Sequence, residues 1–89
     1  MSLQSKVGEW SIYRHLTPED RALFDKVMKS IVGVGYDPLS VSTQIVNGTN
    51  YKFRVIGTII IPDMPQFNAI VKIHQPIEGE PVLRSITDE

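Results

Sequence analysis

The sequence predicts an α+β domain in which one α-helix packs across a twisted four-stranded antiparallel sheet. Three observations predict it. A single helical stripe of apolar residues occurs early in the chain, the apolar period then changes from 3.6 to two, and four strand-like segments follow one another between strong turn signals. With 89 residues the chain has room for one core and no second, so residues 1–89 are read as a single domain.

Residues 1–15 contain Gly8 and the only tryptophan, Trp10, without a sustained period, and are read as an extended arm or first strand. Thr17-Pro18-Glu19-Asp20 supplies a capping hydroxyl, a proline suited to the first helical position and acids facing the positive end of the helix dipole. A helix over 17–33 is expected, with Leu23, Phe24, Val27, Met28 and Ile31 as its apolar stripe and Asp25, Lys26 and Lys29 outward. Gly33, Gly35 and Asp37-Pro38 are expected to end it.

An antiparallel meander is expected over 39–86. Leu39, Val41, Thr43 and Ile45 alternate with Ser40, Ser42 and Gln44, which describes a strand with one dry face. Asn47-Gly48 marks a hairpin turn, and Tyr51, Phe53 and Val55 alternate with Lys52 and Arg54 on the returning strand. That strand is expected to run through Ile61 until Pro62-Asp63-Met64-Pro65 removes ladder donors. Phe67 to His74 forms the third strand, residues 75–81 a turn-rich interruption, and Val82 to Ile86 the last strand. Both the turn at Asn47-Gly48 and the interruption at Gln75-Pro76 then fall at one end of the sheet, where an arm entering ahead of the helix reaches the same edge. No internal repeat or low-complexity stretch interrupts this order.

Composition excludes several functions. An apolar fraction of 42% with 21% charged residues is that of a globular domain. Nine basic residues scattered among ten acids, net charge −1, lack the clustered cations that phosphate neutralisation requires, so no nucleic-acid partner is expected. The absence of cysteine removes disulfides, a thiol nucleophile and thiolate metal sites together, and is compatible with a reducing compartment, taken here as cytoplasmic. Residues 1–6 lack the apolar core of a signal peptide, and the longest apolar run, Val55 to Ile61, is too short to span a bilayer. Neither His15 nor His74 has a metal-ligand or nucleophile spacing, and both are read as structural or solvated. No cofactor, no metal and no catalytic set is expected; Met28 belongs to the core, and Trp10 is expected to cover an edge of it. Glu78, Glu80, Asp88 and Glu89 read as a solvated rim, with a capacity to attract a basic partner surface.

The segment Gln44-Ile45-Val46-Asn47-Gly48 matches the Gln-x-Val-x-Gly signature of cystatins, and Ser42-Thr43 and Thr49-Asn50-Tyr51-Lys52 around it resemble the disulfide-free stefin branch of that family. Such a three-point pattern arises by accident in about 2% of chains of this length. Context strengthens it: the motif sits at a hairpin, Gly8 precedes the only helix, and a proline-bearing turn follows at Gln75-Pro76.

The resemblance implies the cystatin fold and reversible, competitive inhibition of papain-like cysteine proteases by a wedge of three elements. On that reading the protease-binding residues are Gly8, Gln44, Ile45, Val46, Asn47, Gly48, Gln75, Pro76 and Ile77, with Val46 and Ile77 as small apolar contacts that lose water on binding. It also implies a monomer able to exchange strands into domain-swapped dimers, because strain at the position of Val46 is relieved when two strands straighten into one.

Departures from the family pattern are plain. Gly8 is followed by Glu9 where two glycines are common, and Ile77 follows Pro76 where many secreted members have tryptophan. They leave room for a different class, a non-inhibitory protein- or ligand-binding module on the same architecture. A small enzyme ranks below both. Asn47-Gly48-Thr49 is also a glycosylation acceptor triplet, and a glycan there would obstruct the wedge, so an inhibitor is expected not to mature with that site occupied.

Overall fold

The computed structural model describes residues 8–89; the first seven residues of the expected arm lie outside the described residues. One helix, α1 (Pro18–Met28), precedes four strands, β1 (Val34–Val46), β2 (Gly48–Ile59), β3 (Gln66–Gln75) and β4 (Val82–Asp88). The strands form an antiparallel sheet in the order β1-β2-β3-β4, and the helix packs on one face, the cystatin-like α+β arrangement expected from the sequence.

Helix α1 begins as the sequence dictates. Thr17 caps it: its hydroxyl accepts from the Asp20 amide at 3.1 Å while the Asp20 carboxylate accepts from the Thr17 amide at 2.9 Å, and Pro18 opens the first turn. Arg14 of the arm donates to the same carboxylate. Burial alone would raise the Asp20 pKa; the hydrogen bonds from Arg14 and Thr17 and the Arg14 charge outweigh it and hold the carboxyl below its ordinary value.

The helix ends earlier than expected, at Met28 with Lys29 as its C-cap, rather than at Gly33. The chain turns there because the Ile31 amide bonds to the Met28 carbonyl at 3.0 Å, and Ile31 still packs on the core from outside the helix. Gly33 serves the next junction, its carbonyl accepting from Ile60 at 2.9 Å and its φ of +87° turning the chain into β1.

Strand β1 starts at Val34, five residues ahead of the expected Leu39, and runs through Pro38. Proline is tolerated because a bulge between Pro38 and Ser40 interrupts the ladder there. The bulge also corrects the expected face: Val41 and Thr43 are buried, whereas Leu39 is turned out, 50% exposed. Strand β2 ends at Ile59 rather than Ile61, β3 is one residue longer at each end than expected, and β4 runs on to Asp88.

Phe24 and Met28 of the helix meet Val41, Phe53, Val55, Ala69, Val71 and Ile73 of the sheet in one buried cluster. Phe24 and Phe53 carry its centre with ring centroids 5.0 Å apart, a geometry that adds to simple area burial. Among the described residues no helix is long and apolar enough to cross a membrane.

The described part of the arm is extended and pairs with β1. Gly8 donates to the Ile45 carbonyl at 2.8 Å and Ser11 to that of Thr43 at 2.8 Å, and Arg14 and Val41 exchange both backbone bonds at 3.0 Å. This pairing covers the exposed edge of β1 and fixes the level at which the arm passes the hairpin.

Candidate functional site

The three elements singled out from the sequence come together at one end of the sheet. The β1–β2 turn is tight, with Val46 opposite Gly48 and only Asn47 at its tip. Gly8 is tied to Ile45 beside it. On the other side the turn rests on the β3–β4 connection: a Cβ on Gly48 would overlap the Gln75 carbonyl oxygen and lie 3.0 Å from the Pro76 Cα. Gly48 also has φ +98°, a region that L side chains rarely adopt. Two independent requirements, conformation and space, thus select glycine there.

The predicted site residues divide by what they touch. Val46 (39% exposed), Ile77 (75% exposed), Asn47 and Gly8 face solvent along the edge, and Gly8 has φ +85° with open space around it. Ile45 gives its carbonyl to Gly8, and Pro76 is half-buried against the Gly48 turn. Gln44 and Gln75 instead hold the edge together. The Gln75 amide donates to the carbonyls of Pro76 and Gly79, each at 3.0 Å, and so pins the second loop. Gln44 donates to the Gly8 carbonyl at 3.1 Å and accepts from Asn50 at 2.9 Å.

Asn50 in turn bonds His74 at 2.6 Å. Because Asn50 donates its amide to Gln44, its carbonyl oxygen faces His74, and the Nδ1–H of His74 is the donor. The Gly8 carbonyl and the side chains of Gln44, Asn50 and His74 therefore form one row of hydrogen bonds crossing the arm, β1, β2 and β3 directly behind the edge. Each member is satisfied by the next, which makes such a row rigid and costly to break in the middle. Its register follows from the sheet pairing, with Gln44 opposite Asn50 and Asn50 opposite His74.

Sequence reasoning did not find Asn50 or the role of His74. The spacing held a signal for the first, since Gln44 and Asn50 stand equally far from Asn47 and must face each other if that residue is the tip.

Trp10 departs from the expected role. It pairs with Gln44 and so lies on the sheet face away from the helix, 36% exposed, with the Lys52 ammonium 4.3 Å from its ring centroid. The acids read as a solvated rim are partly engaged, Glu80 with Lys26 and Glu89 with Arg54 at 2.7 Å. Trp10, Val46, Asn50, Lys72, His74 and Arg84 border an open depression of about 340 Å³ that adjoins the edge on this outer face. Among the described residues no group of three or more His, Asp or Glu is placed to hold a metal ion. Comparisons with protein-family models, with curated proteins and with solved structures return no match to the chain.

Proposed function

We propose that the chain is a reversible, competitive inhibitor of papain-like cysteine proteases, in which Gly8, the Asn47-Gly48 turn and the Gln75-Pro76-Ile77 loop enter the active-site cleft together as a cystatin-type wedge. The observation that carries the reading is the single edge on which these elements meet, with apolar Val46 and Ile77 outward and the polar groups behind them already bonded. Such an edge loses water from apolar groups on insertion without leaving a buried amide unpaired. It is also pre-formed: the Gly48 contact, the Gln75 bonds and the Gln44 bonds hold the parts in place before any partner arrives, which removes much of the ordering cost of a flexible peptide. Inhibition on this reading is steric. The wedge then blocks the cleft by shape, without a nucleophile of its own and without offering a bond for attack.

Titration of papain or a cathepsin with the purified chain tests the proposal. Activity unchanged at micromolar inhibitor rejects it. Gly48→Glu should abolish inhibition, and because that change also disturbs the turn, Val46→Asp and Ile77→Asp serve as variants whose side chains the fold does not use. Each should weaken binding by about 2 kcal/mol, roughly thirtyfold, with the melting temperature unchanged.

A further inference from the structure

Behind the edge, the outer face of the sheet carries positive charge that the fold does not neutralise. Lys52 and Lys72 stand directly opposite each other across β2 and β3, and Arg84 occupies the bulge of β4 beside Lys72. Like charges in directly opposed positions weaken a sheet. The packing does not require Lys72 or Arg84 to be cationic, since both are exposed.

The remaining described cations are nearly all paired: Arg14 with Asp20, Arg21 with Asp25 and Asp37, Lys26 with Glu80, and Arg54 with Glu89. Among the described residues no carboxylate meets Lys52, Lys72 or Arg84. Lys52 lies over the rings of Trp10 and Tyr13, an arrangement that leaves its charge in place. Lys29, the other described cation without a carboxylate, follows the helix end on the opposite side of the sheet. A chain of net charge −1 thus gathers three uncompensated cations on one shoulder.

That shoulder is continuous with the proposed contact edge. Val46 borders both the edge and the depression that Lys72, His74 and Arg84 line. Lys72 is three residues behind Gln75, where the contact loop begins, about 10 Å at the usual rise of a strand, which lies beyond the screening length of about 8 Å at physiological salt but within that of about 20 Å at low salt, so its influence depends strongly on salt. A wedge entering a cleft brings its shoulders against the cleft walls. Exposed Glu9 and Glu78 put carboxylates at the tips, so tip and shoulder carry opposite charge.

Resting on the inhibitory reading above, we propose that Lys52, Lys72 and Arg84 face one wall of the protease cleft and select papain-like proteases in which that wall is lined by Asp and Glu. Complementary charge at the rim of an interface acts mainly on the rate of encounter and on the choice of partner. The sign is opposite to that expected from the acidic residues near the end of the chain. Two of those, Glu80 and Glu89, are held by Lys26 and Arg54.

The test measures association and dissociation rate constants against two papain-like proteases, one with an acidic and one with a basic cleft wall, at about 20 mM and about 300 mM salt. It uses the wild-type chain, the double variant Lys72→Glu/Arg84→Glu, and Lys29→Glu as a single charge reversal at a remote site, for which a purely global charge effect predicts half the double variant's change in the logarithm of the rate. For the acidic-wall protease, wild-type association should slow about tenfold on raising salt, and the double variant should lose about tenfold at low salt with dissociation changed less than threefold. The double variant should associate faster than wild type with the basic-wall protease, and Lys29→Glu should stay within twofold of wild type. Thermal melts check that the double variant is folded; removal of the Lys52–Lys72 repulsion should leave the melting temperature equal or higher.

Equal salt dependence for the two proteases, or a change in the logarithm of the association rate for Lys29→Glu that is half or more of the double variant's, overturns the selection proposal while leaving inhibition intact. Failure of the wild-type chain to inhibit either protease overturns both readings.

Discussion

Replacing Gly48 with alanine probes the contact on which the edge depends. The added methyl would overlap the Gln75 carbonyl oxygen and come within 3.0 Å of the Pro76 Cα, backbone on both counts, so no flexible side chain can yield. At φ +98° an L residue also carries strain of about 1–2 kcal/mol. Forcing a methyl into a filled space costs about 1–3 kcal/mol more. A loss near 3 kcal/mol is expected.

In urea, with a slope of about 1.5 kcal/mol per molar, that loss lowers the unfolding midpoint by about 2 M. Trp10 fluorescence is a suitable signal because Trp10 is the only tryptophan and is fixed to β1 through its pairing with Gln44. Gly79→Ala is the matched control: its φ is +109°, but the nearest atom to an added Cβ is Pro76 Cγ at 3.7 Å, so it bears the conformational strain without the collision. A midpoint for Gly48→Ala equal to that of Gly79→Ala, or within 0.3 M of wild type by rough extrapolation error, would show that the two loops do not rest on each other.

Gln44→Met removes the central link of the hydrogen-bond row while keeping its length; amide exchange at Gly8 should accelerate about tenfold, the equivalent of one lost bond, and unchanged protection would mean that the backbone ladder alone holds the arm. Asp20 has its pKa depressed in the folded chain, so its contribution is full above the unfolded value of about 4 and disappears as pH falls through the lower folded value. Thermal midpoints of wild type should therefore drop more steeply on acidification below about pH 4 than those of Asp20→Asn, and parallel curves would exclude the Arg14–Asp20–Thr17 cluster as the cause. Mild heating should produce a dimer by exchange at the β1–β2 turn that no longer inhibits, because straightening these strands takes the Asn47 tip out of the edge; a dimer as inhibitory as the monomer, separated by size-exclusion chromatography, counts against that route.

Local chemistry made much of this legible. Thr17-Pro18-Glu19-Asp20 specifies the helix start through bonds among its own members, and the alternation around Asn47-Gly48 specifies the hairpin. What escaped depends on partners distant in sequence. The helix stops at Met28 because the following turn lets Ile31 reach the core from outside, and no residue between 29 and 32 is a strong breaker. Pro38 reads as part of the signal that ends the helix and instead sits in a strand, at a bulge that also turns Leu39 outward. Trp10 belongs to the wet face because the arm pairs with β1, a contact that no period within residues 8–15 announces. At the candidate site the residues were legible as a set, but not their division into those that face outward and those that fasten the edge. Both glutamines turn out to have their amides bonded within the chain, and the row through Asn50 to His74 requires the β2–β3 register, which the sequence does not state.

That division has a practical side for anyone wishing to re-aim the molecule. Since Gln44, Gly48 and Gln75 secure the scaffold while Val46, Asn47 and Ile77 project from it without fastening anything, the latter three positions can be randomised together as a compact display library. Grafted recognition surfaces would inherit a stiff mount, and selections that instead recruit changes at the three fastening positions should yield looser, less discriminating binders.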